Sequence, residues 1–291
     1  MTSSYYRPSG AVPASGICIV VGFAVAAIPL ARLYGWATFR APFVPDVLIV
    51  LVMCMCVGLL VRGAAGVARI RNPHWMRLAG AGCGFFVWYV QWAAWLAYAG
   101  VAESPLYLGL RPWTMIAAIL ETLAELPWLG AACLVVCWLV EMLLLMLPAA
   151  MAGSLRAAEP FCEKTGQWAS KVDVDVQFET IENVEAVRRR LERNPGELAS
   201  VLMPCAGDAL AFAELTLYRC DGGDSFVTIT NYVAAEARST AHEQTAALLA
   251  MPAREVEVVL QIDDPVVELL RLPTADVDPF IRQVSAAGSA A

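Results

Sequence analysis

Few residues in this chain combine a reactive type with a telling spacing. The first is Glu141, inside the apolar run 128–151, "WLGAACLVVCWLVEMLLLMLPAAM". A carboxylate in such a run is expensive unless it faces the interior of a bundle. It reads either as a proton or cation site or as a neutral acid hydrogen-bonded to a neighbouring helix. Gln91, at comparable depth in another apolar run, is the partner to expect. One acid and one amide do not make a conduction path, so the structural reading is favoured. The second group is the thiols of the polar half, Cys162, Cys205 and Cys220. Cys162 opens a Cys-x-x-Thr in "EPFCEKTGQW" (159–168), half of the pair that metal and redox sites use. Cys133 and Cys137 share a helix face, but no His or acid stands at matching spacing, so packing is the better reading.

Other chemistry lacks parts. His242-Glu243 does not open an H-E-x-x-H motif, because Ala246 stands where the second His belongs. Only His74 and His242 are present, and no Ser/His/Asp order or Gly-rich phosphate loop stands out. No catalytic residue, metal or cofactor is assigned, and enzymatic activity is not expected.

The elements that must position these residues differ sharply between the two halves. The 291 residues are 59% hydrophobic and 16% charged, against roughly 25% charged in an average soluble domain. Residues 1–157 hold nine Arg, no Lys and five acids, a net of +4, while residues 158–291 carry the opposite balance, a net of −11. Two domains in different solvents follow. The acidic half argues against a nucleic-acid partner, whose phosphates attract basic surfaces. Six of the nine cysteines lie in apolar segments, where Cys behaves as a small hydrophobe.

A spanning helix needs about 20 mostly apolar residues. Four segments qualify: 16–34, 46–65, 79–100 and 128–151. The expected fold is therefore an α-helical membrane bundle of four transmembrane helices over 1–153. The loop between the second and third spans carries Arg69, Arg71 and Arg77 and should stay inside. Both termini are then cytoplasmic, although Arg32 and Arg40 fall on the outer side. Segment 112–126, too short and acidic to span, reads as an amphipathic interfacial helix. Gly80 and Gly84, and Gly22 and Ala26, are small-xxx-small pairs that permit close helix approach. The stripe Phe85, Trp88, Trp92 and Trp95 is read as packing.

A linker is expected over 154–170 and a small α+β domain with an antiparallel sheet over 171–284. "VDVDVQF" (172–178) alternates as a half-buried strand does. Residues 183–194 are helical, with Arg188, Arg189, Arg190 and Arg193 on a solvated face. "LAFAELTLYRC" and "SFVTITNYV" form a hairpin across "DGGD". "EVEVVLQI" (255–262) is a further strand. Asp263-Asp264-Pro265 reads as the start of a helix through "VVELLRL", and a short helix follows Pro279. The tail 285–291 is expected to be disordered.

Pro160, Phe161, Cys162, Glu163, Gly166 and Trp168, with "WLVEMLLL" upstream, carry a resemblance. The segment is similar to one in a family of uncharacterised bacterial multi-pass membrane proteins, where "PFCExCxxW" follows the last span. That resemblance implies a zinc-ribbon-like four-thiolate site in relatives. Here Thr165 replaces the second Cys, and "DGG" follows Cys220 in place of a second pair. The metal is read as lost, leaving Cys162, Cys220 and possibly Cys205 as a vestigial thiol site. The function expected is that of a multi-pass protein of the bacterial inner membrane, in contact with lipid, whose cytoplasmic domain binds a protein partner. The alternative is a transporter or channel component using Glu141.

Overall fold

The computed structural model describes residues 4–40, 43–174, 176–205, 211–236, 257–261, 264–273, 277 and 279–282. The chain divides into two compact units, residues 8–159 and residues 1–7 with 160–291.

The first unit is helical. Helices α1 (Ala14–Ala26) and α2 (Ile28–Arg40) are nearly continuous. Pro29 has no N–H to give to the preceding turn, yet Ala27 N still bonds Phe23 O at 3.0 Å and Ala31 N bonds Ala27 O at 2.9 Å. The joint is a one-residue break at Ala27 within one rod. Helices α3 (Phe43–Ala68) and α4 (Pro73–Tyr98) follow. Asn72 caps α4 by accepting from Trp75 N at 3.0 Å, with Pro73 at the first helical position, where a missing N–H costs nothing. Two short helices, α5 (Pro105–Gly109) and α6 (Pro112–Ala124), lead to the 31-residue α7 (Trp128–Ala158).

Among the described residues, three segments are long and apolar enough to cross a membrane: Ala14–Arg40, Val47–Ala68 and Trp128–Ala158. The remaining expected span, 79–100, lies in α4. That helix is as long as α3 but less apolar, because Trp88, Tyr89, Gln91, Trp92 and Trp95 carry polar N–H, O–H or amide groups. The bundle's outer surface supports a membrane setting. Leu48, Met55, Leu59, Leu78 and Leu147 are each more than half exposed, an apolar surface far larger than water-soluble monomers present.

The interior is lined by small residues. A Cβ on Gly80 would stand 2.5 Å from the Ala149 carbonyl oxygen, and one on Gly84 2.5 Å from that of Leu145. Helices α4 and α7 therefore touch backbone to backbone, running antiparallel, as small-residue interfaces allow. The other expected pair is not at a contact: nothing lies within 4 Å of a Cβ built on Gly22. Most of the aromatic stripe of α4 packs against neighbours, while Phe85 stays exposed. Trp92 meets Trp138 of α7 with centroids 4.7 Å apart, and Trp95 meets Phe39 of α2 at 6.1 Å. Helix α6 was expected at 112–126, but Met115 and Ala118 form its buried face, and Ile116 and Leu120 are exposed.

The second unit is built on an antiparallel sheet. The stretch 154–170, expected as a linker, is occupied by the end of α7 and by a hairpin, β1 (Phe161–Cys162) with β2 (Gln167–Trp168). Strands β3 (Ser170–Asp173) and β4 (Phe178–Glu179) both pair with β5 (Ala211–Arg219). Strand β6 (Ser225–Glu236) pairs with β5 and, along its other edge, with β7 (Glu257–Gln261) and β8 (Val267–Leu272). Alternation fixes the faces: Ala213, Leu215, Leu217, Val227 and Ile229 point into one core with Phe178, Leu270 and Leu272. Helix α8 (Val184–Arg193) covers it through Leu191, with a 3-10 turn at Pro195–Glu197 and α9 (Leu198–Val201) behind.

One element changes type. The segment after Asp264-Pro265, expected as a helix, is strand β8. Its backbone groups are satisfied by the free edge of β6, from Ser225↔Leu272 to Ile229↔Val267, and Val266, Val267, Leu270 and Leu272 are all buried. Tertiary pairing overrides local propensity here. The helical turn after Pro279 is present at 280–282. The expected tail lies outside the described residues. A further strand-like contact comes from the other end of the chain. Arg271 N bonds Ser4 O at 2.8 Å and Tyr6 N bonds Leu269 O at 2.9 Å, so residues 4–6, expected with the membrane half, extend the sheet beyond β8.

Candidate functional site

Two groups of polar side chains are assembled from distant parts of the chain, one in each unit.

In the helical unit, Glu141 projects from the middle of α7. The α1–α2 rod brings Tyr34 to it, and the Tyr34 hydroxyl donates to Glu141 Oε1. Tyr34 is 3% exposed and its ring is part of the bundle core. The expected pairing with Gln91 does not form. Gln91 is buried in α4 at 3% exposure, with Oε1 lacking a hydrogen-bond partner. The sequence signal for Tyr34 was weak, because an aromatic near the end of an apolar run looks like any interfacial anchor.

Charge is unevenly placed along this unit. Arg62 Nη2 bonds Glu159 Oε1 at 2.5 Å, and Arg156 bonds the same carboxylate. The Arg156 guanidinium lies beside Gly66. Gly10 N bonds Arg71 O at 3.0 Å, and Asn72 Nδ2 bonds Gly10 O at 3.2 Å. The end of α3, the start of α4, the end of α7 and the chain entering α1 thus share one end of the bundle. Arg62, Arg69, Arg71, Arg77 and Arg156 gather there, and both connections to the other unit leave from it.

In the sheet unit, Cys162 sits in the β1–β2 hairpin and Cys220 at the end of β5, where the "DGGD" turn begins. Gly222 takes a φ of 73°, which lets that turn close. The turn folds onto the hairpin: Cys162 Sγ lies 4.0 Å from Asp221 O, and a Cβ on Gly223 would be 2.9 Å from that sulfur. The two thiols share one buried cluster, and each is 5% exposed. They pack with Phe226, Tyr6 and Tyr218.

The environments of the two thiols differ. Burial pushes the Cys162 thiol up. The Thr165 hydroxyl, the backbone N–H groups of Thr165 and Lys164 and the Cys220 thiol outweigh it and hold Cys162 below the ordinary thiol value. Cys220 is pushed up to about 12 by burial first, then by its bond to Cys162 and by Asp221 and Asp224. The pair is suited to one thiolate facing one neutral thiol.

The third expected member does not join. Cys205 lies beside β4, where its N–H bonds Gln177 O at 3.0 Å, and burial raises its thiol. Among the described residues no three of His, Cys, Asp and Glu cluster closely enough to hold a metal. The positions that would complete a four-ligand set are taken by the Thr165 hydroxyl and by Gly223, which has no side chain. A structural zinc site takes four Cys or His ligands, and two thiols with a hydroxyl do not fit it. His242 and Glu243 lie outside the described residues.

The Arg run of α8, expected as a solvated face, is partly tied down. Arg188 Nε bonds Val266 O at 2.9 Å, and Arg190 bonds Glu197 and Ser200.

No protein-family model, curated protein or solved structure matches the chain. The fold and its polar groups define a protein with an apolar helical bundle joined to a small antiparallel sheet domain.

Proposed function

We propose that this is an integral protein of a bacterial cytoplasmic membrane, with four transmembrane helices and both termini in the cytoplasm. Its α+β domain is non-enzymatic and binds a protein partner. The observation that carries this reading is the gathering of five Arg at the end of the bundle from which both connections to the sheet unit depart. Loops rich in Arg and Lys stay on the cytoplasmic side. Helix α4 completes the set of four because its backbone contact with α7 at Gly80 and Gly84 puts it inside the same bundle. The net charge of −11 over residues 158–291 suits a partner with a basic surface.

Reporter fusions at Ala291 and between Glu103 and Leu110 test the orientation. A cytoplasmic signal at the first and an external one at the second are expected, and the reverse pattern overturns the reading. Photo-crosslinkers at the exposed Glu214 and Glu268, used in cells, test the partner. A discrete adduct that weakens as salt rises is expected, and no adduct at either position counts against a docking role.

A second reading, a transporter or channel component, rests on the Tyr34–Glu141 contact, because a hydroxyl beside a carboxylate inside a bundle can pass a proton. Loss of the cellular phenotype in Glu141→Gln, with unchanged melting in detergent, would promote it.

A further inference from the structure

We propose that Cys162 and Cys220 are a peroxide-sensitive dithiol, oxidised to an intramolecular disulfide that fastens the β1–β2 hairpin to the β5–β6 turn. Three facts carry this. The thiols come from two separate loops into one buried cluster, and a Cβ built on Gly223 would stand 2.9 Å from Cys162 Sγ and 3.6 Å from Cys220 Cβ. The turn bearing Cys220 lies directly on Cys162 Sγ, with only glycine at position 223. The Thr165 hydroxyl and the N–H groups of Lys164 and Thr165 favour negative charge on that same sulfur. The six cysteines of the helical unit lie in apolar segments, and Cys205 lies beside β4, outside the cluster that holds Cys162 and Cys220.

The chemistry balances with a hydroperoxide as the named oxidant. The Cys162 thiolate attacks one peroxide oxygen. An S–O bond forms, the O–O bond breaks, and hydroxide leaves from hydrogen peroxide. Cys220 then attacks the Cys162 sulfenic acid. The S–S bond forms, the S–O bond breaks, and the departing hydroxide takes the Cys220 proton to become water. Two electrons pass from the dithiol to the peroxide, and a small dithiol returns them. Membrane orientation plays no part in this step.

The test uses the full chain in detergent, treated with hydrogen peroxide and then alkylated and mapped by mass spectrometry. A Cys162–Cys220 cross-linked peptide is expected, two hydrogens lighter than the reduced pair and restored by dithiothreitol. It should form on the order of tenfold faster than oxidation of Cys205, following thiolate character. In Cys220→Ser a dimedone-trapped sulfenic acid is expected at Cys162. In Cys162→Ser, Cys220 should stay reduced. Cys162 accumulating as sulfinic acid beside an alkylatable Cys220 in the unsubstituted protein would overturn the proposal. So would both thiols surviving peroxide that consumes Cys205. If either Ser variant fails to fold, the cross-link map of the unsubstituted protein alone decides.

Discussion

The hydroxyl of Tyr34 on α2 donates to the carboxylate of Glu141 on α7, across 107 residues of sequence. The bond joins the first rod of the bundle to its longest helix and gives the acid of that apolar helix a polar contact. Tyr34→Phe should lower the stability of the detergent-solubilised protein by about 1–3 kcal/mol, the cost of leaving a buried polar group short of a partner. Glu141→Gln keeps an acceptor oxygen and should cost less than about 1 kcal/mol, whereas Glu141→Leu should match Tyr34→Phe. Combining Tyr34→Phe with Glu141→Leu should cost less than the sum of the two, since both remove one bond. Thermal melts of the four variants check this, and strict additivity would contradict it.

Helices α4 and α7 approach too closely for any side chain at Gly80 or Gly84. Gly84→Val should therefore separate them, at about 1–3 kcal/mol or more, and lower the yield of folded protein. Gly82 lies between them, two residues from each, with nothing within 4 Å of a Cβ built on it. Gly82→Ala is the matched control and should melt as the parent does. Size-exclusion profiles and melting temperatures in detergent read the difference.

Asn231 is 7% exposed within β6. Its Oδ1 accepts from Ile181 N at 3.2 Å, and its Nδ2 donates to Ile181 O at 3.0 Å. One side chain thus satisfies both backbone groups of a residue that enters no strand. Asn231→Leu should destabilise the sheet unit by about 2–4 kcal/mol, because two buried backbone groups lose their partners together. Hydrogen exchange at Ile181 should rise from protected to fast, and a protected Ile181 amide in the variant would refute the assignment.

The two buried thiols should titrate apart. Cys162 is held low, so its thiolate should be alkylated by iodoacetamide with a pH midpoint below that of an ordinary thiol. Cys220 should resist until the pH nears about 12. The stability effects have opposite signs. The contribution from Cys162 is present above about 8.5 and is lost as pH falls through its lower folded value. The contribution from Cys220 is present below about 8.5 and is lost as pH rises toward about 12. Mass-spectrometric labelling across pH checks this, and equal midpoints for the two thiols would count against it.

The purified full chain should carry no stoichiometric zinc, since Thr165 and Gly223 stand where further thiolates would be needed. The double variant Thr165→Cys with Gly223→Cys presents four thiols around one point and should bind zinc in a 1:1 ratio. Elemental analysis of both proteins decides. Zinc in the parent that disappears in Cys162→Ser would refute the donor count.

The α-helical runs were legible because burial in a bundle leaves a continuous apolar stretch, and each run needs only its own residues to satisfy its backbone. Strands β5 and β6 were legible for a similar local reason: alternation and a "DGGD" turn lie within one stretch of chain. Strand β8 was not. "VVELLRL" suits a helix or a strand equally, and the unpaired edge of β6, formed by residues some forty positions earlier, made the choice. The hairpin at 161–168 was hidden in the same way, because two-residue strands carry too little pattern to register.

The sequence by itself determined the division into an apolar helical half and an acidic sheet half and the residues available for chemistry. Those follow from composition and from spacing within a few residues. Only the tertiary structure decided which groups meet. It gave Glu141 to Tyr34 rather than Gln91, brought Cys162 to Cys220 and left Cys205 apart, and added residues 4–6 to the edge of β8. The physical reason is that a side chain's partner depends on the rotation of a whole helix or the register of a whole strand. Small shifts there move every residue on the element, and those angles are set by packing contacts spread across the fold.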